Sequence, residues 1–120
     1  MHPKILIVED DLSINTALQF LMEQYGYEVL TATNGEDAIE AVMKYLPDLI
    51  LLDVMLPGID GYEVCEIIRL NPKWQKTKII FLTALGNIEN IAKGMLLGAD
   101  DYITKPFSNI TIKEKVKKLL

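Results

Sequence analysis

Cross-linking and soft-metal chemistry have almost nothing to work with in this chain. It holds one cysteine, Cys65, and one histidine, His2, among 120 residues. A lone cysteine excludes an intramolecular disulfide, and a single Cys with a single terminal His gives no support to a Cys/His metal centre. Positive charge is also short, with a formal net charge of −5 and a pI near 4.8. Nucleic acid or an anionic membrane would repel such a surface, so direct binding of either is not expected and a protein partner is. No apolar run is long enough to span a bilayer, and the N-terminus carries neither a charged n-region with a long apolar h-region nor a small-residue cleavage site. The expectation is a soluble, cytoplasmic protein. There is no linker, no low-complexity segment and no room for a second domain at this length.

The other half of the composition is apolar, and it is arranged in alternation. Lys4–Val8, Glu28–Ala32, Leu49–Asp53, residues 78–82 and residues 102–104 read as strands; the first and third are continuous apolar runs, as suits strands buried on both faces. Between them lie helical patterns. Residues 11–25 place Ile14, Ala17, Leu18, Leu21 and Met22 on one face, with Gly26 as the stop. From the N-cap Asn34, the residues Ala38, Ala41, Val42 and Tyr45 share a face until Pro47. After the Pro57-Gly58 turn, Asp60 and Glu63 have capping-box spacing and open a helix with Val64, Ile67 and Ile68 inward, ending near Asn71-Pro72. A set at i, i+3, i+4, i+7, i+8 follows at Ile88, Ile91, Ala92, Met95 and Leu96, closed by Gly98. A last helix from Ser108 carries Ile112, Val116, Leu119 and Leu120 on one side. About five β/α units predict an α/β chain with a parallel sheet, helices on both faces and right-handed crossovers. The last helix reaches Leu120 with no Gly or Pro to stop it, which reads as a cut or junction.

Four strands end in chemistry. Lys4–Val8 runs into Glu9-Asp10-Asp11, Leu49–Asp53 ends on its own Asp53, residues 79–82 run into Thr83, and residues 102–104 into Lys105-Pro106. In one parallel sheet these side chains gather at the carboxyl edge, where open α/β sheets build their sites. Carboxylates, a hydroxyl and an ammonium together suit a divalent cation and a phosphoryl group. Taken alone, Glu9-Asp10-Asp11 reads as readily as a solvated helix cap, and Asp11 as only that.

The segments Ile-Leu-Ile-Val-Glu-Asp-Asp at 5–11, Leu-Leu-Asp-Val-Met-Leu-Pro-Gly-Ile-Asp-Gly at 51–61, Phe-Leu-Thr-Ala at 81–84 and Gly-Ala-Asp-Asp-Tyr-Ile-Thr-Lys-Pro-Phe at 98–107 resemble the receiver domain of two-component response regulators. The order and spacing agree along essentially the whole chain. The resemblance implies a single receiver domain over 1–120, standing alone or as the N-terminal part of a longer response regulator. Its fold would be a three-layer α/β/α sandwich around a doubly wound, flavodoxin-like five-stranded sheet of order 2-1-3-4-5. Asp53 would be the phosphoacceptor, taking its phosphoryl group from a sensor histidine kinase or a phosphotransfer protein. Glu9, Asp10, Asp53 and the Met55 backbone carbonyl would hold Mg²⁺, with Mn²⁺ as a substitute. Lys105 would pair first with Asp53 and later with the phosphoryl group, after a cis bond to Pro106. Thr83 and Tyr102 would be the switch pair, although an ordinary half-buried strand aromatic describes Tyr102 equally well. Readout would pass through the fourth helix, fifth strand and fifth helix, at Ile91, Met95, Leu96, Asp100, Asp101 and Lys115, to an output domain or partner protein.

Two departures from that pattern matter. Ile91 and Leu96 stand where Arg and Glu are expected in dimerising relatives, while Asp100, Asp101 and Lys115 keep part of the charged pattern. The salt-bridged dimer formed on phosphorylation is thereby in doubt, and Ile91 becomes either a partner anchor or a core residue. Met55 and Leu85, two residues past the acceptor and the switch Thr, are apolar and cannot orient a hydrolytic water, so slow dephosphorylation is expected. Met55→Asn with Leu85→Glu should shorten the phosphorylated lifetime. Cys65 is expected to be an unactivated, buried or half-buried thiol, His2 no phosphodonor, and Trp74 exposed. A haloacid-dehalogenase-type phosphohydrolase would want a carboxylate where Met55 stands. A flavodoxin-like flavin module would want a Ser/Thr/Gly-rich loop where Glu9-Asp10-Asp11 stands. A degenerate receiver that only binds proteins is disfavoured by the complete residue set.

Overall fold

A computed structural model describes the backbone of residues 2–84 and 88–120, and their side chains apart from 88–90. Its elements run β1 (Lys4–Val8), α1 (Leu12–Gln24), β2 (Glu28–Ala32), α2 (Gly35–Tyr45), β3 (Leu49–Asp53), α3 (Gly61–Leu70), a 3₁₀ turn (Pro72–Trp74), β4 (Lys78–Ala84), α4 (Ile88–Leu96), β5 (Asp101–Lys105) and α5 (Asn109–Leu119). The five strands form one parallel sheet in the order β2-β1-β3-β4-β5. This is the doubly wound α/β/α sandwich that the strand–helix rhythm predicts.

Two apolar layers follow from the period of two along each strand. Ile5 and Ile7 of β1, with Leu49 and Leu51 of β3, face Leu18, Leu21 and Met22 of α1 and Ile112 and Val116 of α5. Their neighbours Leu6, Val8, Ile50 and Leu52 face Ala38 and Val42 of α2 and Val64, Cys65 and Ile68 of α3. Because both sheet faces are covered, β3 is buried at all five positions. Caps set the helix starts: Asp11, Asn34, Asp60 and Ser108 each accept a backbone N–H from the first turn of α1, α2, α3 and α5.

Several helix-face expectations are corrected by packing. Ala17 is exposed, and Asn15 takes the buried position instead, its Nδ2 donating to main-chain carbonyls. Ile67 and Tyr45 are exposed, and the buried face of α3 carries Tyr62 and Cys65 beside Val64 and Ile68. Trp74 is buried rather than exposed, because the 3₁₀ turn after Asn71 tucks its indole under α3. Leu120 is exposed while Leu119 packs inward. On α4 the apolar set does not face the core: Ala92, Met95 and Leu96 are exposed, Ile91 is half-buried, and the buried position is Gly94. The Ile88 side chain lies outside the described residues.

Candidate phosphoryl and metal site

Strand register brings the polar ends together. Val8 pairs with Leu52, so Glu9 emerges beside Asp53; Asp53 pairs with Leu82, so Thr83 follows next to it; Ala84 pairs with Lys105. Glu9, Asp53 and Thr83 are all buried, whereas Asp10 reaches solvent. Carboxylate oxygens from Glu9, Asp10 and Asp53 lie within 4.8 Å of one another. Hard oxygen donors at this spacing are able to hold a divalent cation, which offsets a repulsion that would otherwise destabilise the corner.

Lys105 ties the cluster together. Its Nζ donates to Glu9 Oε1 at 2.6 Å and stands 3.3 Å from Asp53 Oδ2. The expected pairing with Asp53 is therefore shared, with Glu9 as the closer partner. The Lys105–Pro106 peptide bond is cis, in line with the expectation. Burial raises the Glu9 carboxyl above its usual range, assisted by the Asp53 carboxylate, while Lys105 and the Asp11 N–H pull the other way. Burial also works to lower Lys105, but its hydrogen bond to Glu9 and the negative charge of Asp53 outweigh it, so its affinity for the proton is raised. The lysine thus stays an ammonium ion in the pocket.

The backbone around the cluster is held closely. Met55 N–H donates to Asp53 Oδ1 at 3.3 Å, and Asp11 N–H to Glu9 Oε2 at 3.2 Å. Gly61 opens α3 directly beneath Asp53, where a Cβ would collide with the Asp53 carbonyl and lie 2.8 Å from Val54 Cα. The Glu36 carboxylate accepts from Ile59 N–H at 3.3 Å and so braces the β3–α3 loop. An apolar cleft of about 430 Å³, lined by Ile14, Ala84, Pro106 and Phe107, opens beside Lys105.

Thr83 behaves differently. Its Oγ1 is buried and has no hydrogen-bond partner among the described residues, an arrangement that costs stability unless an acceptor is supplied. Tyr102 is half-buried against the α3-side core, with the Lys115 ammonium 4.8 Å from its ring centroid and 2.8 Å from its carbonyl oxygen.

On the predicted partner face the charges are spent inside the molecule. Asp101 pairs with Lys115 at 3.0 Å, and Asp100 accepts from Arg69 at 3.0 Å and from Ile79 N–H at 2.8 Å. Ile91, Met95 and Leu96 remain as its apolar part, with Leu96 89% exposed. Met55, two residues after Asp53, has an exposed side chain; Leu85 lies outside the described residues. Burial pushes the Cys65 thiol up to about 11, which makes it the inert group expected.

Sequence reasoning passed over Asn15 and Arg69. Asn15, Leu18 and Met22 are spaced i, i+3, i+7, so a polar residue inside an apolar stripe was the available signal. Arg69 gave none, because its acceptors Gly98 O at 2.8 Å and Asp100 Oδ2 at 3.0 Å come from a distant segment.

Known proteins agree with this geometry. Residues 5–117 match the model of the response regulator receiver domain. The chain is 46% identical over its whole length to the alkaline phosphatase synthesis transcriptional regulatory protein PhoP of Bacillus subtilis, covering 49% of that protein. The chain spans about half the length of the curated relatives it matches. Among solved structures, a putative response regulator from Chloroflexus aurantiacus superposes with a TM-score of 0.96 at 39% identity, covering 99% of this chain and 98% of that one. The chemotaxis response regulator CheY4 of Vibrio cholerae gives 0.94 at 30% identity, with full coverage of both chains. Sequence, topology and the position of the acidic cluster converge, and the chain belongs to the response regulator receiver domain family.

Proposed function

We propose that Asp53 is the phosphoacceptor of a phosphorylation-dependent signalling switch, and that residues 1–120 form one receiver unit. The observation that carries this reading is the buried Asp53 carboxylate, 3.3 Å from Lys105 and within 4.8 Å of Glu9 and Asp10. One Asp53 oxygen attacks phosphorus, the donor's leaving group departs with its bonding pair, and a mixed anhydride forms. Lys105 orients the carboxylate and balances charge on the phosphoryl oxygens. Thr83 Oγ1, without a partner until then, donates to one of them. Glu9, Asp10, Asp53 and the Met55 carbonyl hold Mg²⁺, or Mn²⁺ in its place, and the bound ion supplies neutralisation of phosphoryl charge. The chain turns over no separate substrate. Its catalysis is confined to its own phosphorylation and slow dephosphorylation, the latter because Met55 offers no group to orient water.

The donor is a sensor histidine kinase or a phosphotransfer protein, which reaches Asp53 past the apolar cleft beside Lys105. Tyr102 follows Thr83 on activation and repacks the α4–β5–α5 face. That face then engages either an output domain, for which relatives of about twice this length have room, or a separate protein. With Asp100 and Asp101 already paired internally, Ile91, Met95 and Leu96 supply the contact. No helix among the described residues is long and apolar enough to cross a membrane, and we place the domain in the cytoplasm with its donor.

The test is incubation with Mg²⁺ and acetyl phosphate, followed by intact mass. Gain of a single phosphoryl group is expected, abolished in Asp53→Asn and without metal. No gain by a protein that still binds Mg²⁺ would leave a phosphorylation-independent interaction module.

A further inference from the structure

Five polar side chains are buried among the described residues: Glu9, Asn15, Asp53, Thr77 and Thr83. Three belong to the pocket, and Thr77 donates to Pro47 O at the opposite edge of the sheet. Asn15 is the remaining one. It sits in the apolar stripe of α1 beside Leu18 and Met22, where an aliphatic side chain would pack without needing hydrogen-bond partners. Its Nδ2 donates to Glu9 O at 2.9 Å and to Ala32 O at 3.3 Å. The same Ala32 carbonyl also accepts from Glu9 N–H at 3.1 Å. Glu9 is therefore gripped at its amide, at its carbonyl and, through Lys105 and Asp11 N–H, at its carboxylate.

The Glu9 carbonyl belongs to the peptide that leads into Asp10, so fixing it fixes where the Asp10 side chain starts. Asp10 is exposed, yet its carboxylate lies within 4.8 Å of two others that carry like charge. Repulsion would open this turn if the main chain were free to yield. A cation site that must close on binding loses affinity to that reorganisation, whereas one held ready does not. We propose that Asn15 is a positioning residue for the divalent-cation site, holding the Glu9–Asp10 peptide in its binding geometry against the repulsion of the three carboxylates. The proposal rests on the reading that this cluster binds the cation used in phosphorylation of Asp53.

Titrating Mg²⁺ into the full chain by calorimetry tests it, alongside acetyl phosphate phosphorylation rates over a range of Mg²⁺ and a thermal melt. Asn15→Leu is expected to raise the Mg²⁺ dissociation constant about tenfold. The half-saturating Mg²⁺ for phosphorylation should rise in parallel, with the rate at saturating Mg²⁺ within about twofold of the parent, because the effect acts through metal occupancy. A lower melting temperature with an unchanged dissociation constant would make Asn15 merely structural and overturn the proposal. So would a loss of maximal rate at unchanged half-saturation. Should Asn15→Leu fail to fold, Asn15→Ser, which is polar but too short to reach both carbonyls, decides by the same criteria. A parent protein that binds no Mg²⁺, or gains no phosphoryl group, would refute the underlying reading. A parent that does both, with variants binding equally well, refutes only the role of Asn15.

Discussion

The two sides of the pocket are built on opposite terms. On the β1–β3 side Glu9 is held at every polar group by Asn15, Ala32, Asp11 and Lys105, and α3 starts so close beneath Asp53 that only a glycine fits. On the β4–β5 side Thr83 keeps a buried hydroxyl without a partner among the described residues, and Tyr102 is half-buried. There α4 meets the sheet through Gly94 while Met95 and Leu96 face outward. The first side is organised before any ligand arrives, as a cation site between repelling carboxylates requires. The second holds a hydroxyl without a partner among the described residues and a half-buried ring, which the proposed switch would use on phosphorylation.

Paired glycine substitutions probe this contrast most strongly. Gly61→Ala sets a methyl against backbone that cannot move aside, at the Asp53 carbonyl and Val54 Cα. We expect a loss of about 3 kcal/mol in chemical denaturation, together with loss of phosphorylation. Gly94→Ala presses on the Phe81 ring edge at 2.8 Å, a side chain able to shift, and alanine also favours helix. Its net loss should be about 1 kcal/mol, with phosphorylation retained. Equal losses at the two sites would remove the distinction between a rigid and an adjustable side.

Thr83→Val comes next and changes sign. Removing a buried hydroxyl without a partner should raise stability by about 1 kcal/mol. If Asp53 still takes a phosphoryl group, the response of the Tyr102 ring, followed by NMR, should be blunted. A destabilised variant would mean that the hydroxyl is already satisfied. The smallest effect is expected at Leu96→Lys, since that side chain is 89% exposed: a change within about 0.5 kcal/mol. A larger loss would show α4 leaning on the core through this residue and would withdraw Leu96 from the partner face.

The fold and the polar centre were legible because both depend on local patterns. Apolar runs such as Leu49–Asp53, capped helices after Asp11, Asn34, Asp60 and Ser108, and polar residues at strand ends all announce themselves within a few positions. What escaped depends on contacts between distant segments. Trp74 looked exposed because its sequence neighbours are polar, but the turn carrying it folds under α3. The α4 stripe looked like core because periodicity reports amphipathicity without saying what lies opposite. Asn15 hid in a helix face where only the tertiary partners Glu9 O and Ala32 O explain a polar residue.

By itself, then, the order of residues determined a parallel α/β sheet with Glu9, Asp10, Asp53, Thr83 and Lys105 at one edge, because strand direction and side-chain alternation follow from local pattern. The tertiary structure decided how those groups share charge. Glu9 became the nearer partner of Lys105, Asp100 and Asp101 were drawn into pairs within the molecule, and Thr83 was left without a partner among the described residues. These outcomes turn on distances of a few ångström between elements far apart in sequence, and on the burial that strengthens each electrostatic term, neither of which a linear pattern records.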